Sequence, residues 1–234
     1  MTQAATRTVP FRPAIPDLPE LPRVTVIDRK RVLHHARWAR SLFGFRDLLR
    51  VDEPWVTFHA IDWLERVVEP GWRVAEFGSG ASTLYWSRRV SHITAVEHHR
   101  GWHTKLTRAF EVEGVRNCRY VLAEPRRLSR AERIEARSQK KGFEELCFRD
   151  YANALADEPA GTYDLIFVDG RARVACAEAA VHKVRSGGWL VLDNAERPRY
   201  AELRKRFAGY RRLDFTSMGP RQIGRWTTSA WHVR

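Results

Sequence analysis

The chain is poor in cysteine and has no long apolar run. Cys118, Cys147 and Cys176 are widely spaced, and none lies in a CxxC pair, which argues against a disulfide framework and against a structural zinc site. No apolar run approaches the length that spans a membrane, and the first residues lack the apolar region of a signal peptide. The sequence therefore predicts a soluble protein of the reducing cytoplasm.

Acidic residues are also in short supply. The chain has 28 Asp and Glu residues against 41 Lys and Arg residues, which gives a formal net charge of +13. A basic surface attracts anions, so nucleic acid, acidic polysaccharide, phosphorylated substrates and an anionic membrane face all stay open as partners. A merely solvated, arginine-rich surface explains the excess equally well.

The length suits one large domain with an extension. With 234 residues and 44% hydrophobic content, the chain can bury one sizeable core. Prolines recur at every third position from Pro10 to Pro22, which is typical of an extended polyproline segment. Residues 1–26 are therefore predicted to form a proline-rich arm, which is either a disordered tail or a segment that packs on the domain or on a second subunit of a homo-oligomer.

A basic helix is predicted next, followed by the main domain. The segment between Asp28 and Gly44 has apolar residues at helical spacing and arginines on the rest of its circumference. The predicted organisation is thus an N-terminal basic helix within residues 27–53 and a main domain over residues 54–234.

Helix and strand patterns alternate through the main domain. Apolar runs predict strands at 72–77, 92–97, 118–122, 163–169 and 189–193, and two closing strands near 211–215 and 224–233. A helix over Pro54–Val67 is predicted before the first strand, and further helices, including Phe143–Leu155, are predicted between the strands. This pattern predicts an α/β fold of the doubly wound, Rossmann-like type, with a mostly parallel sheet that ends in an antiparallel hairpin.

The stretch AEFGSGAST, from Ala75 to Thr83, joins the first of these strands to a helix. Gly78 and Gly80 let the backbone turn tightly and approach a ligand, which suits either a dinucleotide or S-adenosylmethionine. The third glycine of the dinucleotide fingerprint is replaced by Thr83, and Glu76 can face a ligand amino group. A plain strand-to-helix connection also remains open.

Acids end several of the predicted strands. Glu76, Glu97, Asp169 and Asp193 all fall at carboxyl ends of strands, where open α/β sheets bind their ligands. Glu97 can accept hydrogen bonds from the hydroxyls of a ribose. Trp102 can stack on an adenine ring, or it can simply pack against the sheet.

Four motifs together resemble one large family. EFGSGAST, VEHH followed by Trp102, YDLIFVDGR and GGWLVLDN are similar to the class I S-adenosylmethionine-dependent methyltransferases, above all to a bacterial group that shares PW, EFGSG, VEH, VDGR and LDN. The resemblance covers residues 54–234 and implies a seven-stranded sheet whose last strand is antiparallel. It implies that the cofactor site consists of Glu76, Phe77, Gly78, Ser79, Gly80, Ser82, Thr83, Glu97, His98, Trp102, Glu124, Asp169 and Gly170.

The resemblance also indicates where the chemistry takes place. Asp169, Asp193 and Asn194 are predicted as catalytic residues, and the two carboxylates and the amide suit Mg²⁺, as in metal-dependent catechol-type O-methyltransferases. The metal-free alternative makes Asp169 a general base and lets Asn194 bind the loop backbone. Both alternatives stay open.

Three arginines follow the same strand ends. Arg171, Arg173 and Arg197 can bind an acidic or phosphorylated acceptor, or they can pair with the acids at the strand ends. VDGR stands where amino-base nucleic-acid methyltransferases carry an Asn or Asp-Pro-Pro-aromatic segment, which counts against that class. The sequence thus predicts S-adenosylmethionine-dependent methylation of a hydroxyl on a small molecule or sugar. Two alternatives remain: a basic RNA methyltransferase that uses residues 124–142, and an inert protein that only binds the cofactor.

Overall fold

A computed structural model describes residues 23–26, 31–42, 53–128, 138 and 142–234 of the chain. Residues 1–22, which make up most of the predicted proline-rich arm, lie outside these ranges, and so does most of the polar segment 124–142. Within the described residues, no helix is both long enough and apolar enough to cross a membrane.

The centre of the molecule is a twisted sheet. The strands are β1 (Arg23–Val26), β2 (Arg73–Phe77), β3 (His92–Glu97), β4 (Cys118–Leu122), β5 (Arg126–Arg127), β6 (Leu146–Cys147), β7 (Tyr163–Val168), β8 (Val184–Leu192), β9 (Arg211–Ser217) and β10 (Trp226–His232). Eight of the described strands form one sheet in the order β1-β9-β10-β8-β7-β2-β3-β4, while β5 and β6 pair separately. Strand β10 runs antiparallel to both of its neighbours, and the other pairs in this sheet are parallel.

This arrangement confirms the predicted fold class. The seven expected strands are present, with an antiparallel last strand, and β1 adds an eighth. Strand β1 pairs in parallel with β9 through residues that the sequence assigned to the arm.

Helices cover both faces of the sheet. They are α1 (Arg31–Leu42), α2 (Phe58–Val67), α3 (Ala81–Ser87), α4 (Arg100–Glu113), α5 (Arg149–Ala152), α6 (Arg173–Ala180) and α7 (Ala201–Arg206), with 3-10 turns at Val181–Lys183 and Pro198–Tyr200. Helix α1 confirms the predicted N-terminal helix.

Two predicted helices differ from the structure. Helix α2 begins at Phe58 rather than at Pro54, because Thr57 is extended, its hydroxyl donates to the Phe215 carbonyl at 3.1 Å, and the Phe58 amide donates to the Met218 carbonyl at 2.8 Å. The helix predicted over Phe143–Leu155 is wrong for most of its length. Two of its residues instead form β6, which pairs with β5, and only α5 is helical.

Alternate residues of the central strands pack into two separate core layers, one on each face of the sheet. In β7, Ile166 and Val168 pack into the layer beneath α5, α6 and α7, while Leu165 and Phe167 pack into the layer beneath α2 and α3. All four side chains are almost fully buried. Each such burial stabilises the fold by about 1.5–3 kcal/mol, so the β7 strand that carries Asp169 has a rigid base on both faces.

Candidate active site

The glycine turn closes at the carboxyl end of β2. Gly78 has a φ of +95°, which favours glycine, and a Cβ placed on it would lie 2.5 Å from the Gly170 Cα. Gly80 has open space around its Cα, and its amide donates to the Thr83 hydroxyl at 2.9 Å. The turn therefore needs glycine at Gly78 so that the ends of β2 and β7 can approach each other.

A cleft of about 270 Å³ opens above this turn. We call it the turn cleft, and it is lined by Trp55, Gly78, Ser79, Gly80, Ala81, Ser82, Trp102 and Asp169. The Trp102 indole donates to the Ser79 carbonyl at 2.8 Å, which fixes the ring beside the turn. Sequence reasoning placed Trp55 on a helix and missed this position, although the PW dipeptide was one of the motifs behind the resemblance.

Glu76 lies beneath the turn and does not face the cleft. The sequence had predicted that it faces the ligand. It is fully buried and accepts hydrogen bonds from the Ser82 hydroxyl and, at 2.8 Å, from the Thr83 hydroxyl. Burial raises its pKa to about 8, with further contributions from the charges of Asp169 and Glu97, while the two hydroxyls act in the opposite direction. At neutral pH this side chain is largely protonated and ties the turn to the start of α3.

Glu97, at the end of β3, is held by its neighbours. One carboxylate oxygen accepts from the backbone amides of His98 and His99, both at 2.8 Å, and the other accepts from the Ser79 hydroxyl at 2.8 Å. Burial opposes ionisation, but hydrogen bonds from His98 and Ser79 outweigh it, so the pKa of Glu97 lies below its usual value. Glu97 is 2% exposed, and its hydrogen bond with Ser79 links it to a residue that lines the cleft.

The other residues of the predicted cofactor site fall into two groups. Phe77 and Thr83 are buried in or beneath the turn. His98 is half-buried against Tyr151, and Glu124 forms a surface ion pair with Arg100. The structure thus brings the turn residues, Trp102 and Asp169 together around one cleft, while these four lie around it.

Asp169 follows β7 and borders the turn cleft. Its side chain is 29% exposed, and its Oδ1 lies 2.6 Å from the Arg173 guanidinium. Burial raises the pKa of Asp169, although Arg173, Arg197 and Arg171 act against that change. Asp169 is the acid of the predicted set whose carboxylate borders the cleft.

Arg173 occupies the space between the two acids that were predicted to hold a metal. Its guanidinium donates to the Asp169 carbonyl at 2.8 Å, to the Gly170 carbonyl at 3.1 Å, to the Asp193 carbonyl and, at 3.3 Å, to Asn194 Oδ1. It also lies 3.9 Å from the Asp193 carboxylate. A divalent cation bound to these acids would face a buried guanidinium, so the residues do not fit the predicted Mg²⁺ site.

Asp193 is turned away from the cleft. Its Oδ1 accepts hydrogen bonds from the Trp226 indole and from the Thr228 hydroxyl, both at 2.8 Å, and the residue is 2% exposed. Burial and the charge of Asp169 raise its pKa. Asn194 is also buried and has a φ of +53°. Within the described residues, no cluster of three or more acidic, histidine or cysteine side chains suits a metal ion.

A second cavity, of about 250 Å³, borders Gly170, the residue that follows Asp169. We call it the arginine pocket, and its lining includes Gly170, Arg171, Asn194, Arg197, Arg199 and Tyr200. Gly170, predicted as a cofactor residue, belongs to this pocket. Sequence reasoning missed Arg199 and Tyr200, because they follow the predicted strand end by several residues and belong to no motif.

The strand order, with β10 inserted antiparallel between β8 and β9 and a glycine turn after β2, defines a class I methyltransferase. A family model described as a methyltransferase domain matches residues 75–195, just over half of the chain, which therefore belongs to this S-adenosylmethionine-dependent family. No curated protein gives a significant match to this chain.

Two solved structures share the fold. A methyltransferase-like protein from Silicibacter pomeroyi is 20% identical, with 79% of this chain and 91% of that chain covered and a TM-score of 0.53. An rRNA methylase from Streptococcus thermophilus is 13% identical, with 74% of this chain and 93% of that chain covered and a TM-score of 0.51. At these identities the likeness extends to the fold alone.

Proposed function

We propose that the protein transfers a methyl group from S-adenosylmethionine to a hydroxyl of a small molecule or sugar. The observation that carries the proposal is the position of Asp169, whose partly exposed carboxylate borders the turn cleft. A carboxylate whose pKa is raised by burial is a stronger base than one in water, and an attacking hydroxyl must lose a proton.

The turn cleft fits the donor. Gly78 lets the backbone come close to a ligand, and Ser79, Ser82 and Trp102 line the cleft with hydroxyls and an aromatic face. The bound cofactor supplies an electrophilic methyl group on a sulfonium. Glu97 can accept from the hydroxyls of a ribose if the Ser79 hydroxyl leaves it, and the Tyr120 hydroxyl, 2.6 Å from Ser79 Oγ, offers an alternative partner.

The chain's own residues divide the remaining work. Asp169 takes the proton of the acceptor hydroxyl as the hydroxyl attacks the methyl group. Arg173 fixes the Asp169 carboxylate and backbone, which aligns the base with the cleft. In this scheme Asp193 and Asn194 act through Arg173 as positioning residues, and no metal takes part.

The experiment compares donor binding with turnover. Asp169→Asn should retain S-adenosylmethionine binding by isothermal titration, while transfer of tritiated methyl to hydroxyl acceptors falls about 10²–10⁴-fold. Asp157→Asn changes an exposed acid remote from the cleft and should behave as wild type.

The remaining outcomes separate the rival functions. Absence of donor binding by the wild type would overturn the proposal. Donor binding without transfer to a broad acceptor panel would favour an inert binding protein. Transfer to RNA, together with RNA binding that weakens steeply with salt, would favour the basic RNA methyltransferase.

A further inference from the structure

The arginine pocket carries an inference about the acceptor, and it rests on the proposed function. Three arginines predicted to bind an acidic acceptor have different positions in the structure. Arg173 is buried and engaged by Asp169 and by the loop after β8. Arg171 and Arg197 line the pocket.

Arg171 forms no ion-pair contact among the residues that the structure describes, although the charge of Asp169 acts on it. Its guanidinium lies over the Phe143 ring, 5.1 Å from the centroid, and its Nε has no hydrogen-bond partner within the described part of the chain. The side chain is half-buried, and burial together with the charge of Arg173 lowers the pKa of Arg171. A cation in this position gains from an anion that enters the pocket, because that anion offsets both the desolvation and the repulsion.

Arg197 is also only weakly compensated. Among the described residues its carboxylate contact is with Glu196 at 3.9 Å, and Glu196 also accepts from the Thr227 amide at 2.9 Å. No acidic side chain is among the described residues that line the pocket. The described part of the lining is therefore positively charged and has no acid.

The pocket and the turn cleft share one wall. Asp169 borders the cleft, and Gly170, the next residue, lines the pocket. An acceptor whose anionic group binds at Arg171 therefore lies beside Asp169, the residue proposed as the base. We propose that the acceptor is a hydroxyl compound with a phosphate or carboxylate group, and that Arg171 and Arg197 bind this group in the arginine pocket.

The test uses inorganic phosphate and acetate as probes of the two anion types. Isothermal titration at constant ionic strength, with the protein saturated with S-adenosylhomocysteine, should detect phosphate or acetate binding to the wild type. Arg171→Gln and Arg197→Gln should each weaken that binding about tenfold or more, since each removes a charge-assisted contact. The stronger of the two probes identifies the anion type.

Controls separate this inference from the proposed function. Arg108→Gln removes an exposed arginine of α4 and should leave phosphate and acetate affinity unchanged. Arg171→Lys keeps the charge but loses the planar fork, and should lie between the wild type and Arg171→Gln. S-adenosylhomocysteine affinity should be the same in all four variants, which also shows that they are folded.

Two results would overturn the inference while leaving the proposed function intact. One is a wild type that binds S-adenosylhomocysteine but neither anion. The other is an equal loss of anion affinity in Arg108→Gln and Arg171→Gln, which would indicate diffuse surface charge. A wild type without S-adenosylhomocysteine binding would instead refute the proposed function.

Discussion

Replacing Arg173 tests how much the buried charges of the site contribute to the free energy of unfolding. Arg173→Met keeps an apolar stem of similar length but removes the guanidinium, and with it the ion pair to Asp169 and the hydrogen bonds to the carbonyls of Asp169, Gly170 and Asp193. Removing one partner of a buried ion pair destabilises a protein by about 3–5 kcal/mol. The total free energy of unfolding of a domain is about 5–15 kcal/mol, so the loss is large.

The loss should depend on pH in a defined direction. The pKa values of Asp169 and Asp193 are already raised by burial, and removal of the nearby positive charge raises them further. A carboxyl whose pKa in the folded state is raised stabilises the fold below its unfolded pKa of about 3.9, and that stability is lost as pH rises through the folded value. The deficit of the variant should therefore be about 3–5 kcal/mol at pH 8 and smaller at pH 5.

Urea unfolding followed by tryptophan fluorescence at pH 5, 6, 7 and 8 measures this deficit. Arg108→Met, on the exposed face of α4, serves as the matched control and should unfold with the wild type at each pH. Arg173→Lys keeps a charge but not the fork, and should lose less, which keeps the test valid if the methionine variant does not fold at pH 8. A deficit under about 1 kcal/mol, or one that is constant from pH 5 to 8, would refute the reasoning.

Three further predictions follow from other parts of the site. The pKa of Glu76 is raised to about 8, so this residue should lower the stability of the wild type by at most about 4 kcal/mol as pH rises from 5 to 8, and Glu76→Gln should show a shallower decline in urea unfolding, the remainder coming from Asp169 and Asp193; equal slopes would contradict the burial argument. Gly78→Ala should lower stability by about 2–4 kcal/mol, since its Cβ meets the Gly170 backbone and its φ is positive, whereas Gly80→Ala, with open space around it, should keep the wild-type melting temperature; similar effects of the two substitutions would count against the close approach of β2 and β7. Because Arg173 lies between the acids, titration with Mg²⁺ should give no binding heat and EDTA should leave methyl transfer unchanged; loss of transfer in EDTA would restore the metal hypothesis.

The sequence predicts the strands and the turn well because their signals are local. A largely apolar run that ends in Glu97 marks both ends of β3, and the predicted strand at 118–122 has the bounds of β4. The glycines that directly follow β2 are also a local signal, and they mark the turn. The acids at the strand ends are also where the sequence places them, since parallel strands bring their carboxyl ends to one edge.

The direction in which each acid faces is not a local signal. Glu76 is the penultimate residue of β2, and Asp169 follows β7. Glu76 accepts hydrogen bonds from the hydroxyls of Ser82 and Thr83 at the start of α3, and these contacts depend on how α3 packs over the sheet. The sequence predicts that both acids line the cofactor site. Only the packing of the helix separates them.

The two arginines of the RAR run show the same limit. Between Arg171 and Arg173, Ala172 has a φ of +45°, an unusual conformation for a residue with a Cβ. Arg173 turns inward to the acids, and Arg171 lines the pocket. Spacing alone gives both side chains the same role, so the sequence could not predict which arginine is internal.

The position of β10 has a consequence for how the chain acquires its fold during synthesis. Strands β1 and β9 join the rest of the sheet through β10, which follows both of them in the chain and lies between β9 and β8. On a ribosome, β1 emerges early, but the β1-β9 pair cannot join β8 until β10 has left the exit tunnel. We therefore expect strands β2, β3, β4, β7 and β8 to assemble first, and β1, β9 and β10 to join the sheet as a late step.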